Sequence, residues 1–267
     1  MAAELAAVST KVKPITAPAP LATRLYTMAR RCYSEEPITG SQVVLAGSEA
    51  HHLLHVLRAI PGMKVVLFDG SGSEFDAEVS VCGRATVDLS IVNRREVDRE
   101  LPFPLTLGVA LPKGDRQRWI VEKAVELGVT RLVPLVTERS EKQGGEKLGR
   151  YVIEASKQCG RNRLMEIAEP QRWDDWLHSP AILAGAAPPT TARRWVAHPT
   201  GHPLAADDLS HDRPGLMAIG PEGGLTDDET AEAALAGWEL ISLGPRILRI
   251  ETAAIALVAS LTLISTR

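Results

Sequence analysis

The sequence predicts an α/β protein in two parts: a small β-rich domain, expected to be a β-barrel, and a larger domain on a mostly parallel sheet. Three observations predict it. Between Arg31 and about Arg95, short apolar runs alternate with turn residues around one helical pattern, as in small barrels. From Leu105 onward, strand and helix patterns take turns, the mark of a parallel sheet flanked by helices. Between them "NRREVDRELPFPL" is charged and then broken by Pro102 and Pro104, as domain connections are. The expected division is a tail over 1–29, the barrel over 30–97 and the α/β domain over 101–267. A chain of 267 residues has room for this, since domains run to about 100–200 residues each.

In residues 1–29 the only acid is Glu4, and "APAP" and "KVKPIT" have no period. The tail is expected to be disordered, with an organellar transit peptide or a start at Met28 as alternatives. "SQVVLAG" reads as a strand. Ser48 is the expected N-cap of "EAHHLLHVLRA", whose Leu53, Leu54, Val56, Leu57 and Ile60 follow a helical period. "MKVVLFDGSGSEFDAEVSV" predicts a hairpin, with Asp69, Gly70 and Gly72 as its turn. "ATVDLSIV" alternates Ala85, Val87, Leu89 and Ile91 inward.

In the second domain "LTLGVAL" and "TRLVPLV" predict strands. "DRQRWIVEKAVELG" predicts a helix with Ile120, Ala124 and Leu127 on one face and Gly128 as its stop. "EKLGRYVIEASKQCG" predicts another, with Leu148, Val152, Ala155 and Cys159 inside and Arg150, Glu154, Lys157 and Gln158 outside. "RRWVAH", "GLMAIG" and "WELISLG" complete the strands. The last helix, Thr252 to Ile264, is apolar nearly all round, as buried helices are.

Composition excludes several classes. Hydrophobic residues make up 45% and charged residues 24%, the mix of an ordinary soluble globular chain. Three scattered cysteines form no C-x-x-C, so a reducing, cytoplasmic setting is expected and no disulfide framework. No apolar run is long and clean enough to span a membrane. His51 and His55 share a helical spacing, but His52 stands where a zinc helix needs glutamate and no third ligand follows; no metal is expected. Charge is uneven: Lys113 to Arg163 holds twelve Lys/Arg against seven Asp/Glu, and Gly201 to Leu240 one against nine. The basic segment hints at a polyanion partner; solvated complementary faces are the alternative.

The chemistry is concentrated in two junctions. "IGPEGGLTDDE" joins a strand to a helix through Gly220, Pro221, Gly223 and Gly224. Thr226 and Glu229 have capping-box spacing, so the helix starts there and the glycines belong to the loop. Glycine lets a ligand approach the backbone, and loops at carboxyl strand ends are where α/β folds bind ligands. Neither G-x-x-x-x-G-K-[ST] nor G-x-G-x-x-G occurs, and Glu222 with Asp227, Asp228 and Glu229 would repel phosphate. A neutral or cationic ligand suits the loop. "LISLGPRILRIETAAIAL" repeats the pattern at Gly244 and Pro245; the two junctions would stand side by side if their strands pair.

"GPEGGLTDDE" followed by "LGPRILRIETA" resembles the signature of the RsmE type of 16S ribosomal RNA (uracil-N3)-methyltransferases, within the SPOUT superfamily. "HHLLHVLR", "LFDGSG", "LPKGDR", "EKAVELGV", "ERS" and "QCGRNR" resemble that family in the same order, from about Arg31 to the C-terminus. The resemblance implies a PUA-like barrel for RNA, a SPOUT domain with a C-terminal trefoil knot, and a homodimer formed by the last helix. It implies S-adenosylmethionine as cofactor, held by Ile219, Gly220, Gly223 and Gly224 on one wall and Leu243, Gly244, Ile247 and Leu248 on the other. The implied substrate is 16S ribosomal RNA or the assembled small subunit.

For the methyl transfer, Arg249 is the candidate to stabilise charge on the target base, and Glu251 a candidate base or orienter of Arg249. A salt bridge from Arg249 to Glu251 or Glu222, and a helix-dipole role for Glu251, are the alternatives. Arg30, Arg31 and Arg58 in the barrel, with Lys113, Arg116, Arg139, Arg161 and Arg163, are the candidate phosphate contacts. An RNA-binding protein of the same fold without transfer, or a nucleotide-phosphate enzyme, are the rival readings.

Overall fold

The structure, a computed structural model, describes residues 30–140, 148–178, 192–204 and 213–262. The expected tail over 1–29, the alternative start at Met28 and the end of the last helix at Ile264 lie outside them.

The first domain is a five-stranded sheet of β1 (Arg31–Tyr33), β2 (Gln42–Leu45), β3 (Lys64–Phe68), β4 (Ser73–Cys82) and β5 (Val87–Glu96), in the order β1-β3-β4-β5-β2. The predicted hairpin is β3–β4, antiparallel. Asp69 builds its turn by accepting Ser71 N–H at 3.0 Å and Ile38 N–H at 2.9 Å. Val87 and Leu89 face inward as the alternation requires.

The expected small barrel takes the form of a curled half-barrel sheet, with β1 and β2, of three and four residues, as its two edges. Ala50 and Leu53 of the intervening helical segment join the strand residues in the core. That segment is α1 (Gly47–His51) continued by one π-helical turn, His52–Val56. Ser48 is not its N-cap. The chain turns into the helix at Gly47, φ +59, behind Ala46, which has no side-chain cap; the serine already lies in the first turn.

The second domain is a parallel sheet of β6 (Leu105–Val109), β7 (Arg131–Val136), β8 (Glu166–Ile167), β9 (Gln171–Arg172), β10 (Arg193–Pro203), β11 (Gly215–Ile219) and β12 (Glu239–Ser242). Its order is β12-β10-β11-β6-β7-β8, with β9 also on β7. Strands β6 and β11 are buried along their whole length, which is why "LTLGV" and "GLMAI" read as near-continuous apolar runs. One face is covered by α2 (Asp115–Glu126), α3 (Leu148–Cys159) and α6 (Ile250–Thr262), through Ile120, Val152 and Leu257. The other is covered by α4 (Trp173–His178) and α5 (Asp227–Leu235), with Trp176 and Ala233 in its core. Gly108 makes room for Trp176: a Cβ there would sit 2.7 Å from the indole.

Buried charge joins the two domains. Arg31, 4% exposed, donates to Glu74 at 2.6 Å, to Asn162 Oδ1 at 2.7 Å and to the Arg161 carbonyl at 3.2 Å. Arg99 reaches Glu74 at 2.7 Å and the Gly160 carbonyl at 2.9 Å. Lys157, expected on an outer face, is buried against Glu49 at 2.8 Å, because the first domain covers that side of α3.

Candidate functional site

At the carboxyl end of the sheet, β10 pairs with β11 on one flank and with β12 on the other. The strands carrying the two junctions therefore do not pair with each other, pairing being the condition for direct neighbours; β10 stands between them. Chain segments that leave a parallel sheet on opposite sides open a crevice at the strand ends. Here it is a pocket of about 400 Å³, the size of a small-molecule cofactor site. Both junctions line it, and so do Ala197, His198 and Pro199 at the end of β10. Sequence reasoning missed these three. Residues 198–201 loop out of the β10–β12 register, and Gly201 presses on the β12 backbone, where a Cβ would lie 2.5 Å from Ile241 and Leu240 main-chain atoms. The Pro199-Thr200-Gly201 turn composition was the available signal.

The glycine loop is held from behind. Thr226 accepts from Glu229 N–H at 3.2 Å and Glu229 accepts from Thr226 N–H at 2.9 Å, the predicted capping box. Gly224, at φ +72, donates to the Pro221 carbonyl at 2.9 Å and closes a tight turn. A Cβ on Gly220 would strike Leu225 at 2.9 Å. Ile219, Gly220 and Gly224 line the pocket; Gly223 does not. It packs instead against Arg139, which donates to its carbonyl at 2.9 Å.

Across the pocket, Gly244 turns the second junction at φ +109, and Leu243, Gly244, Ile247, Leu248 and Arg249 line the wall. Ile247 is 93% exposed at the pocket wall. Among the described residues Arg249 has no ion pair, neither to Glu251 nor to Glu222, which binds Arg116 at 2.8 Å. Glu251 does not line the pocket. It is 8% exposed, one residue into α6, and its Oε2 has no hydrogen-bond partner. His198 hydrogen-bonds through Nδ1 with Thr200 Oγ1 at 2.8 Å and accepts from Thr200 N–H at 3.3 Å. Among the described residues no cysteine lines the pocket; burial pushes Cys32 up to about 12 and raises Cys159 as well.

Two of the expected phosphate contacts have partners inside the protein. Arg31 is spent on Glu74 and Asn162 inside the domain junction. Arg161, 4% exposed, pairs with Glu100 and donates to the Val129 carbonyl at 2.8 Å and the Val125 carbonyl at 3.1 Å. It satisfies the carboxyl end of α2, where unpaired carbonyls and the helix dipole both favour a cation. Arg58, Lys113, Arg116, Arg139 and Arg163 are exposed. Arg163 lies over Gly72, whose added Cβ would be 3.0 Å from the guanidinium. Arg58 ends the π-helical turn at φ +53, with Ala59 N–H donating to the Leu53 carbonyl at 2.8 Å. Glycine usually holds that position. Among the described residues no group of three or more His, Cys, Asp or Glu could hold a metal.

Residues 99–262 match an RNA methyltransferase domain family and residues 45–92 an RNA methyltransferase PUA domain family. The chain is 34% identical to ribosomal RNA small subunit methyltransferase E of a Synechocystis species, over 85% of this chain and 75% of that one. With the Bacillus subtilis protein of the same name it shares 26% identity over 78% and 85% of the two chains. The crystal structure of a Neisseria gonorrhoeae ribosomal RNA small subunit methyltransferase E bound to S-adenosyl methionine is similar at a TM-score of 0.78. It shares 29% identity, over 88% of this chain and 97% of that one.

Proposed function

Since the chain belongs to the ribosomal RNA small subunit methyltransferase E family, we propose that it methylates N3 of a uridine in 16S ribosomal RNA. It is an S-adenosylmethionine-dependent ribosomal RNA methyltransferase; the target atom, the residue roles and the assembly that follow are our reading. The observation that carries it is the pocket itself, walled by two glycine junctions and floored by the bulge of β10.

The cofactor's needs and the pocket's chemistry agree. Adenine and ribose require close main-chain donors and acceptors, which Gly220, Gly224 and Gly244 leave open. Glu222 at the mouth is compatible with a cation. When bound, S-adenosylmethionine supplies an electrophilic methyl group on a sulfonium. The chain must align the target base, an effect worth about 7–11 kcal/mol in favourable cases. It must also tolerate the anion left when N3–H loses its proton, whose charge spreads onto the flanking carbonyls. Arg249 is free to stabilise that charge from the wall. Glu251, buried outside the pocket lining with one unpartnered oxygen and, among the described residues, no ion pair to Arg249, would orient Arg249 or take the proton only if RNA binding brings it to the site.

The half-barrel and the exposed Arg58, Lys113, Arg116 and Arg163 form the RNA surface. The trefoil knot belongs to the same reading: after β12, at the sheet's edge, α6 returns to pack on α2, β11 and β6. So does a homodimer through α6, supported by exposed Ile247 and by Trp119 on the neighbouring α2. No helix of the described residues is long and apolar enough to cross a membrane, and we place the chain in the cytoplasm with its ribosomal substrate.

The test is transfer of labelled methyl to isolated small subunits and to naked 16S RNA, with nucleoside mass spectrometry. The expected product is 3-methyluridine; RNA binding without transfer would favour the rival reading of an RNA-binding protein. Light scattering at micromolar protein should give the mass of a dimer.

A further inference from the structure

We propose that Arg139 is a positioning residue for the cofactor: it fixes the glycine loop from behind and acts through the Gly223 peptide. This rests on the reading of the pocket as a cofactor site, and it gives Arg139 a different task from the phosphate contact its sequence position suggests.

The turn that follows β7 is stiff. Thr137 N–H donates to Ser140 Oγ at 2.6 Å, and Ser140 Oγ and N–H return to the Thr137 carbonyl at 2.9 and 3.2 Å. This turn grips the glycine loop at two points. Glu138 N–H donates to Glu229 Oε1 at 2.8 Å, while Oε2 of the same carboxylate caps Thr226 N–H at 2.9 Å. Arg139 Nη1 donates to the Gly223 carbonyl at 2.9 Å. The stem of Arg139 lies flat on Gly223, with its Cβ and Cδ at 3.3 and 3.4 Å from where a Cβ would stand. A carbonyl held outward by a guanidinium cannot rotate into the pocket. The peptides on either side, at Glu222 and Gly224, are the ones that line the pocket. A loop of three glycines has the largest conformational entropy to lose on ordering; a clamp that orders it beforehand removes that cost from cofactor binding.

Calorimetric titration of the full-length protein with S-adenosylmethionine, without RNA, tests the proposal. Arg139→Ala should weaken cofactor binding about tenfold or more, the scale of one charge-assisted hydrogen bond. The thermal midpoint of the cofactor-free protein should stay within about 4 °C of wild type, because the substituted side chain is exposed. Arg139→Lys should fall between the two. Gly223→Ala keeps the guanidinium but presses it off the carbonyl, and should weaken binding similarly; it decides the matter alone if Arg139→Ala melts early. Cofactor affinity equal to wild type in these variants overturns the proposal. So does a defect confined to RNA affinity with a salt slope lower by about 1, which marks a phosphate contact. A wild-type protein that binds no S-adenosylmethionine would instead overturn the underlying reading of the pocket.

Discussion

Replacing Glu74 by glutamine should separate the two domains energetically without touching the cofactor pocket. The Glu74 side chain is 3% exposed and faces Arg31 at 2.6 Å, Arg99 at 2.7 Å and Arg95 at 3.3 Å. Glutamine keeps the shape and removes the charge, leaving the Arg31 guanidinium, also 3% exposed, buried without a counter-ion. Breaking a buried pair in this way costs about 3–5 kcal/mol. In a chain of this size each kcal/mol moves the midpoint by about 2–4 °C, so scanning calorimetry at neutral pH should show a fall on the order of 10 °C. The pH dependence has a definite sign. Burial alone would raise the Glu74 carboxyl, but the hydrogen bonds and positive charges of Arg99 and Arg31 together outweigh it and hold the carboxyl below the usual range. Its contribution is therefore present above the ordinary glutamate value, about 4.3, and lost as pH falls through the folded-state value. The gap between wild type and Glu74→Gln should close in acid. RNA affinity should drop with the misaligned domains, whereas S-adenosylmethionine affinity should not. A midpoint within 2 °C of wild type at neutral pH, or a gap that does not narrow as pH falls below the ordinary glutamate value, would refute this account of the junction.

Arg249→Ala should lower single-turnover methyl transfer by about 100-fold or more, the scale of one lost donor to developing charge. Cofactor affinity by calorimetry should hardly change; an unaltered rate removes Arg249 from the chemistry. Gly220→Ala places a methyl 2.9 Å from Leu225 in the pocket wall, and cofactor affinity should fall at least about tenfold, read by the same titration. Thr226→Ala removes the cap of α5 and should cost about 1 kcal/mol in chemical denaturation; no change would mean the helix start is fixed by Glu229 alone.

Much of the site was legible because its signals are local. The capping box at Thr226 and the glycines of both junctions act within a few residues of themselves. The role of Gly223 was not legible: its partner, Arg139, lies 84 residues away. Nor was the fate of Arg31, whose neighbours Glu74 and Asn162 are 43 and 131 residues distant. A basic residue at a strand end looks the same on the page whether it faces solvent or an acid brought in from another domain.

What the sequence determined by itself was the alternation of strands and helices and the two glycine junctions, since backbone preference and apolar period are properties of neighbouring residues. Only the tertiary structure decided that β10 enters between β11 and β12 and which arginines are buried. Those outcomes depend on which distant surfaces meet: strand order is set by packing across the whole sheet, and a charge is buried only where its counter-ion arrives from elsewhere in the chain.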